Sequence, residues 1–258
     1  MSKVAGGSYE ADVATHAYGA DRSLQLLDLY LPHGARTPPL AVYIHGGAWV
    51  SGDKSGYERL GTAFARCGIA AAVLNYRLAP TVRVWQQLDD VAGALRWLTE
   101  RARSSGYDAR RTFLIGHSAG AQLAVYAVVS GKLARGSIAG IVAIGSVGIN
   151  PSSDVTELDE RYRDIYEPAF GADRGAWSAF DVQPLLRGDE PPVLVIHGAD
   201  DCMAPETISR RLYEQLVAAG VRAVYMQPAD RDHWNTLERM AEPGDPTMQA
   251  VERFVLGK

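Results

Sequence analysis

A serine between glycines, Gly116-His117-Ser118-Ala119-Gly120, stands where the apolar run Thr112 to Ile115 gives way to the helix-forming run Ala119 to Val129. A hydroxyl at such a junction can act as a nucleophile. The abrupt turn from strand to helix lifts it above a sheet, and glycine on either side spares the crowded backbone a Cβ. The same turn aims the Ala119 amide at the space in front of the hydroxyl. A second signal precedes it, His45-Gly46-Gly47-Ala48-Trp49, directly after the run Leu40 to Ile44. Small residues there let main-chain N–H groups come within about 2.7–3.1 Å of a developing oxyanion. The pair of signals points to acyl transfer.

A nucleophilic serine needs a base, and the base needs an acid to orient it. Where this strand–turn–helix geometry is used, the chain runs nucleophile, acid, histidine. Of the six histidines, His197 and His233 follow Ser118 at a useful distance. His197 ends an apolar run and precedes Gly-Ala-Asp-Asp, a position that shapes a turn. His233 lies in Asp230-Arg-Asp-His-Trp-Asn235, a loop after the penultimate-looking strand and before a helix, and is the expected base. Asp200 and Asp201 are both candidates for the acid, and periodicity cannot separate neighbours on a loop. Whichever is not used is expected to be exposed or to cap the helix starting at Pro205, where a carboxylate is favoured. Asp232 is too close in sequence to face the base. Trp49 and Trp234 flank the expected site and can stack on an aromatic leaving group.

These residues must be held by a frame, and the frame is visible. Short apolar runs (Leu24 to Leu31, Leu40 to Ile44, Ile69 to Asn75, Ile138 to Ile144, Pro192 to Ile196, Val221 to Gln227) alternate with amphipathic stretches. The clearest helix runs from Gln86 to Ser104, with Leu88, Val91, Ala92, Leu95, Leu98 and Ala102 at spacings of three and four. Alternation of this kind predicts an α/β fold, a mostly parallel sheet covered on both faces, with a ligand at the carboxyl ends of the strands. Gly145 to Glu190 is irregular and polar, and reads as a lid-like insertion in a single domain spanning 1–258. The chain has 26 Lys and Arg against 30 Asp and Glu, a net charge of −4. That balance gives no footprint for nucleic acid and no steering of a highly charged ligand. Arg101, Arg103, Arg110 and Arg111 read as solvated surface. Two cysteines suggest no disulfide framework, no spacing suits zinc, and neither metal nor cofactor is implied. No run is long enough to span a membrane, and MSKVAGGSYEAD has no apolar leader segment, so a cytoplasmic protein is expected.

The motifs LDLYLP, VYIHGGAWVSGDK, AVLNYRLAP, QLDDVAGALRWL, FLIGHSAGAQLA, VLVIHGADDCMAP and DHWNTLERM follow the order of the α/β-hydrolase superfamily. The chain resembles its hormone-sensitive-lipase-like esterases and the related arylformamidase (kynurenine formamidase) group. The resemblance implies Ser118 as nucleophile, His233 as base, and Asp201 as acid, since the family's acid stands four positions after the histidine of its HG turn. It implies oxyanion donors at Gly47, Ala48 and Ala119, and a structural Arg77 paired with Asp89 or Asp90. Ala48 replaces a third glycine, and a short segment precedes the first strand where the lipase-like group carries a cap; His-Gly-Gly-x-Trp and Asp-His-Trp-Asn lean to the formamidase side. The expected activity is hydrolysis of a small carboxylic ester through an acyl-enzyme. Alternatives are hydrolysis of N-formyl-kynurenine, a biosynthetic tailoring reaction on an ester or amide, and ligand binding on a hydrolase fold that has lost its activity.

Overall fold

A computed structural model describes residues 10–134, 136–156 and 164–258. Its centre is a sheet with strand order β1-β2-β4-β3-β5-β6-β7-β8. The strands are β1 (Ala11–Ala17), β2 (Leu26–Pro32), β3 (Pro39–Ile44), β4 (Ala70–Leu74), β5 (Asp108–His117), β6 (Gly140–Ile144), β7 (Val193–Ile196) and β8 (Ala223–Met226). β2 runs antiparallel to both β1 and β4, and every pairing from β4 to β8 is parallel.

β3, β4, β6 and β7 are buried along their whole length and β5 from Thr112 onward, which is why they read as short apolar runs; β8, at the edge, is partly exposed. Alternate residues feed two cores. Leu40 and Val42 of β3 pack with α2 (Val84–Ser105), α3 (Ala119–Val129) and α6 (Glu206–Ala218) on one face. Ala41 and Tyr43 point the other way, toward α1 (Glu58–Arg66), α7 (Asn235–Met240) and α8 (Pro246–Leu256). The expected helices and parallel strands are present, with ends moved by a few residues. Two elements differ from expectation. β1 was not legible: ADVATHA has no apolar alternation, because this edge strand is mostly exposed and, among the described residues, pairs only with β2. The strand before His233 is β8, the last in the chain rather than the penultimate one.

Arg77 pairs with Asp90, its Nε 2.9 Å from Oδ2 and its Nη2 2.6 Å from Oδ1, while Asp89 is taken by Lys132. The Arg77 amide donates to the same Asp90 carboxylate, so the pair ties the segment after β4 to α2. The segment 145–190, of which 157–163 lie outside the described residues, leaves β6 and folds over α3. It contains α4 (Pro151–Asp154) and α5 (Glu167–Phe170). Tyr166, Phe170, Trp177 and Phe180 form its buried seam. Tyr126 of α3 donates to the Ala179 carbonyl at 2.6 Å, and Arg83 at the start of α2 donates to the carbonyls of Glu167 and Pro168. Among the described residues no helix is long and apolar enough to cross a membrane.

Candidate active site

Ser118 occupies the single residue between β5 and α3, with φ 54° and ψ −121°. A positive φ strains a side chain of this hand by roughly 1–3 kcal/mol, and the surrounding contacts hold it there. The Ser118 amide donates to the Ile144 carbonyl at 2.8 Å, and the Ala121 amide donates back to the Ser118 carbonyl at 2.9 Å. The flanking glycines are required by space. A Cβ on Gly116 would lie 2.3 Å from the Gly120 carbonyl oxygen, and one on Gly120 would lie 2.1 Å from that of Ile44.

His233 follows β8 and meets Asp201, which follows β7. Its Nδ1 lies 2.7 Å from Asp201 Oδ2. A carboxylate only accepts, so Nδ1 carries the proton and Nε2 is left as the free base. The other carboxylate oxygen, Oδ1, accepts the amides of Met203 and Ala204, each at 2.9 Å. Burial alone would raise the pKa of Asp201, but the His233 hydrogen bond, its charge and the Ala204 amide outweigh it and hold the carboxyl below the ordinary carboxylate range. Asp200 is exposed, and among the described residues only its backbone N–H is engaged, on the Arg231 carbonyl. Asp232 turns away from the base and caps α7, accepting the amides of Trp234 and Asn235. His197 sits buried against the Ser209 hydroxyl, 3.2 Å from Nδ1, as a turn-shaping residue. Gly145 backs the pair: at φ 52° it leaves room where a Cβ would stand 3.3 Å from both Asp201 Oδ2 and His233 Nδ1.

Sequence reading passed over His117, the variable residue of the serine motif. Its Nε2 lies 2.9 Å from the His233 carbonyl, so Nε2–H donates and joins the elbow directly to the loop of the base. The rings stand 4.5 Å apart. Burial, and then the neighbouring His233 ring, push His117 down to about 3. Burial also lowers His45 and His197. At His117 the unfolded chain therefore takes up a proton below about pH 6.5 that the folded chain refuses until pH falls to about 3, so stability drops with falling pH across that window. His45 and His197 act in the same direction. His117 contributes a slope of about 1.4 kcal/mol per pH unit. Urea midpoints measured between pH 7.5 and 5 should fall less steeply in His117→Gln than in the wild type; equal slopes would remove His117 from this account.

Opposite the serine, the loop after β3 folds back through three successive residues of positive φ, Gly47 (115°), Ala48 (53°) and Trp49 (64°). The Gly47 carbonyl accepts the amides of Val50 and Ser51 and the Ser51 hydroxyl, each at 3.0 Å. The N–H groups of Gly47, Ala48 and Ala119 donate to no backbone acceptor among the described residues. Gly47, Ala48, Ser118 and His233 line one cavity of about 260 Å³, walled otherwise by Val50, Ser51, Val147, Ile165, Tyr166, Met203 and Trp234. The apolar wall residues carry no sequence signal, because they come from segments far apart in the chain.

The two tryptophans divide. Trp234 lines the cavity, half-exposed, with its ring edge-on to His233 at 5.2 Å and its Nε1 3.1 Å from Met203 Sδ. Trp49 does not line it and cannot stack on a substrate there. The positive φ turns its side chain inward, fully buried, edge-on to Tyr166 and Phe170 at 5.1 and 4.9 Å, with Nε1 donating to Gln122. Tyr166, from the insertion, is the aromatic residue that reaches the cavity on that side. Among the described residues no group of three or more His, Cys, Asp or Glu side chains is placed to hold a metal ion.

A family model described as the alpha/beta hydrolase fold matches residues 41–236. The isoprenylcysteine alpha-carbonyl methylesterase of Arabidopsis thaliana is 26% identical over 237 residues, covering 84% of this chain and 55% of that protein. Esterase LipC of Mycobacterium tuberculosis is 30% identical over 259 residues, covering 92% and 63%. This chain thus spans about half to three fifths of the length of those relatives. Among solved structures, esterase B from Lactobacillus Rhamnosis superposes with a TM-score of 0.82 at 23% identity, covering 95% of this chain and 85% of that one. The hyperthermophilic esterase of Pyrobaculum calidifontis does so at 0.76 and 20%, covering 96% and 84%.

Proposed function

This chain belongs to the α/β-hydrolase fold family, and from that premise we propose that it is a serine hydrolase cleaving small carboxylic esters through an acyl-enzyme. The observation that carries the reading is convergence. The His233–Asp201 pair, the Ser118 hydroxyl and the uncommitted amides of Gly47 and Ala48 meet at one largely apolar cavity. His233 Nε2 takes the Ser118 proton as Oγ attacks the ester carbonyl, and the oxyanion is held by the amides of Gly47, Ala48 and Ala119. His233 then gives that proton to the leaving alcohol and activates water to release the acid. Asp201 fixes the imidazole tautomer and stabilises the imidazolium. The reaction draws on no metal and no cofactor. The segment 145–190, which supplies Val147, Ile165 and Tyr166, serves as the lid over the acyl group. Relatives named as esterases support an ester over a formamide.

Rates on p-nitrophenyl acetate, p-nitrophenyl butyrate and N-formyl-kynurenine, measured side by side, test the reading. The esters should be turned over faster, and a fluorophosphonate should label Ser118. Preference for N-formyl-kynurenine would reassign the activity to a formamidase. Neither turnover nor adduct would leave a binding protein on a hydrolase fold.

A further inference from the structure

Trp234 lines a second depression as well as the cavity. Beyond its ring lies an open groove of about 680 Å³, bounded by residues 53–60 at the start of α1 and by Leu237, Glu238 and Ala241 at α7. Leu60, Leu237 and Ala241 form a buried apolar floor and Tyr57 is half-buried beside them. Glu238 and Arg59 stand at the rim, while both Asp53 carboxylate oxygens already accept, from the Ser55 amide and the Asn75 side chain. The proton that leaves His233 must reach the oxygen of the departing alcohol, so that oxygen has to lie on the His233 side of the scissile carbonyl. Trp234 is the next residue and stands edge-on to that imidazole. An alcohol leaving past His233 therefore crosses Trp234 and enters the groove, while the acyl group faces Val147, Ile165 and Tyr166.

We propose that this groove is the alcohol subsite, and that the enzyme takes esters of a small acyl group with an extended, ring-bearing alcohol or phenol. The inference rests on the proposed hydrolase reading for its direction. The ring body lies on Trp234 and the Leu60–Leu237–Ala241 floor, and a hydroxyl group at its far end meets Glu238 and Arg59.

Gly56 provides the test. It lines the groove, and a Cβ there would meet no atom within 4 Å, so Gly56→Trp fills the groove without disturbing the fold or the catalytic groups. Glu238→Trp fills it from the opposite wall, on an exposed helix face. Two readouts are needed. In the first, kcat/KM is measured for phenyl, naphthyl and biphenyl acetates, and for phenyl acetate, butyrate and hexanoate. The biphenyl-to-phenyl ratio should fall roughly tenfold in either variant, with the acyl series unmoved. A change confined to the acyl series, or no change in either, would overturn the assignment. In the second, binding of free biphenylol is followed by calorimetry in the wild type and both variants, which requires no turnover. Binding that weakens about tenfold in the variants supports the subsite even if the hydrolase reading fails; absent or unaltered binding rejects it.

Discussion

Ser118→Ala is expected to lower kcat for p-nitrophenyl acetate by about 10⁴–10⁶-fold while leaving the thermal midpoint within a few degrees of the wild type. The size of the loss follows from covalent catalysis. Without Oγ no acyl-enzyme can form, and the residual rate is what the oxyanion amides and the cavity give to direct attack by water. The small effect on stability follows from the backbone. The turn is held by the Ser118 amide on Ile144, by its carbonyl on Ala121 and by the spaces left at Gly116 and Gly120, and alanine keeps all of these. The φ of 54° costs alanine and serine alike. Rate and melting curve should be measured on the same preparation. Activity above a hundredth of the wild type in a folded variant would move the nucleophile elsewhere.

The elbow was legible because its requirements are local. Strand, glycine, serine, glycine and helix are neighbours in sequence, and the steric reason for each acts over a few residues. The inner parallel strands were legible because burial on both faces selects apolar residues along them. What failed lacked one of these conditions. β1 is an exposed edge whose partner decides its structure, so its own residues carry no pattern. Trp49 sits next to the oxyanion loop in sequence, but three consecutive positive φ values send its ring into the Tyr166–Phe170 seam, and nothing in HGGAW announces that reversal. His117 looked like the free position of a motif, yet its partner, the His233 carbonyl, is 116 residues away. The cavity wall is a meeting of distant segments and becomes readable only once the sheet has set them side by side.

The choice between Asp200 and Asp201 shows how a loop resolves what residue spacing leaves open. Asp201→Asn should lower kcat by about 10⁴-fold, and Asp200→Asn should stay within about twofold of the wild type. The large loss has a geometric cause in this site. Met203 and Ala204 both donate to Oδ1 of Asp201, so an asparagine is forced to place its carbonyl oxygen there and its NH₂ group where Oδ2 was. That NH₂ faces His233 Nδ1, which can then only accept. The proton moves to Nε2, and the imidazole reaches the serine in the tautomer that cannot take its proton. Asp200 makes no comparable demand, because its carboxylate is exposed and its one engaged group, the backbone N–H on Arg231, survives the substitution. The depressed pKa of Asp201 adds a second readout. Since the carboxylate stays ionised through the ordinary carboxylate range, the acid limb of the wild-type kcat/KM profile should not report Asp201. A crippled Asp200→Asn beside a near-normal Asp201→Asn would shift the acid by one residue, and with it the turn that Met203 and Ala204 close.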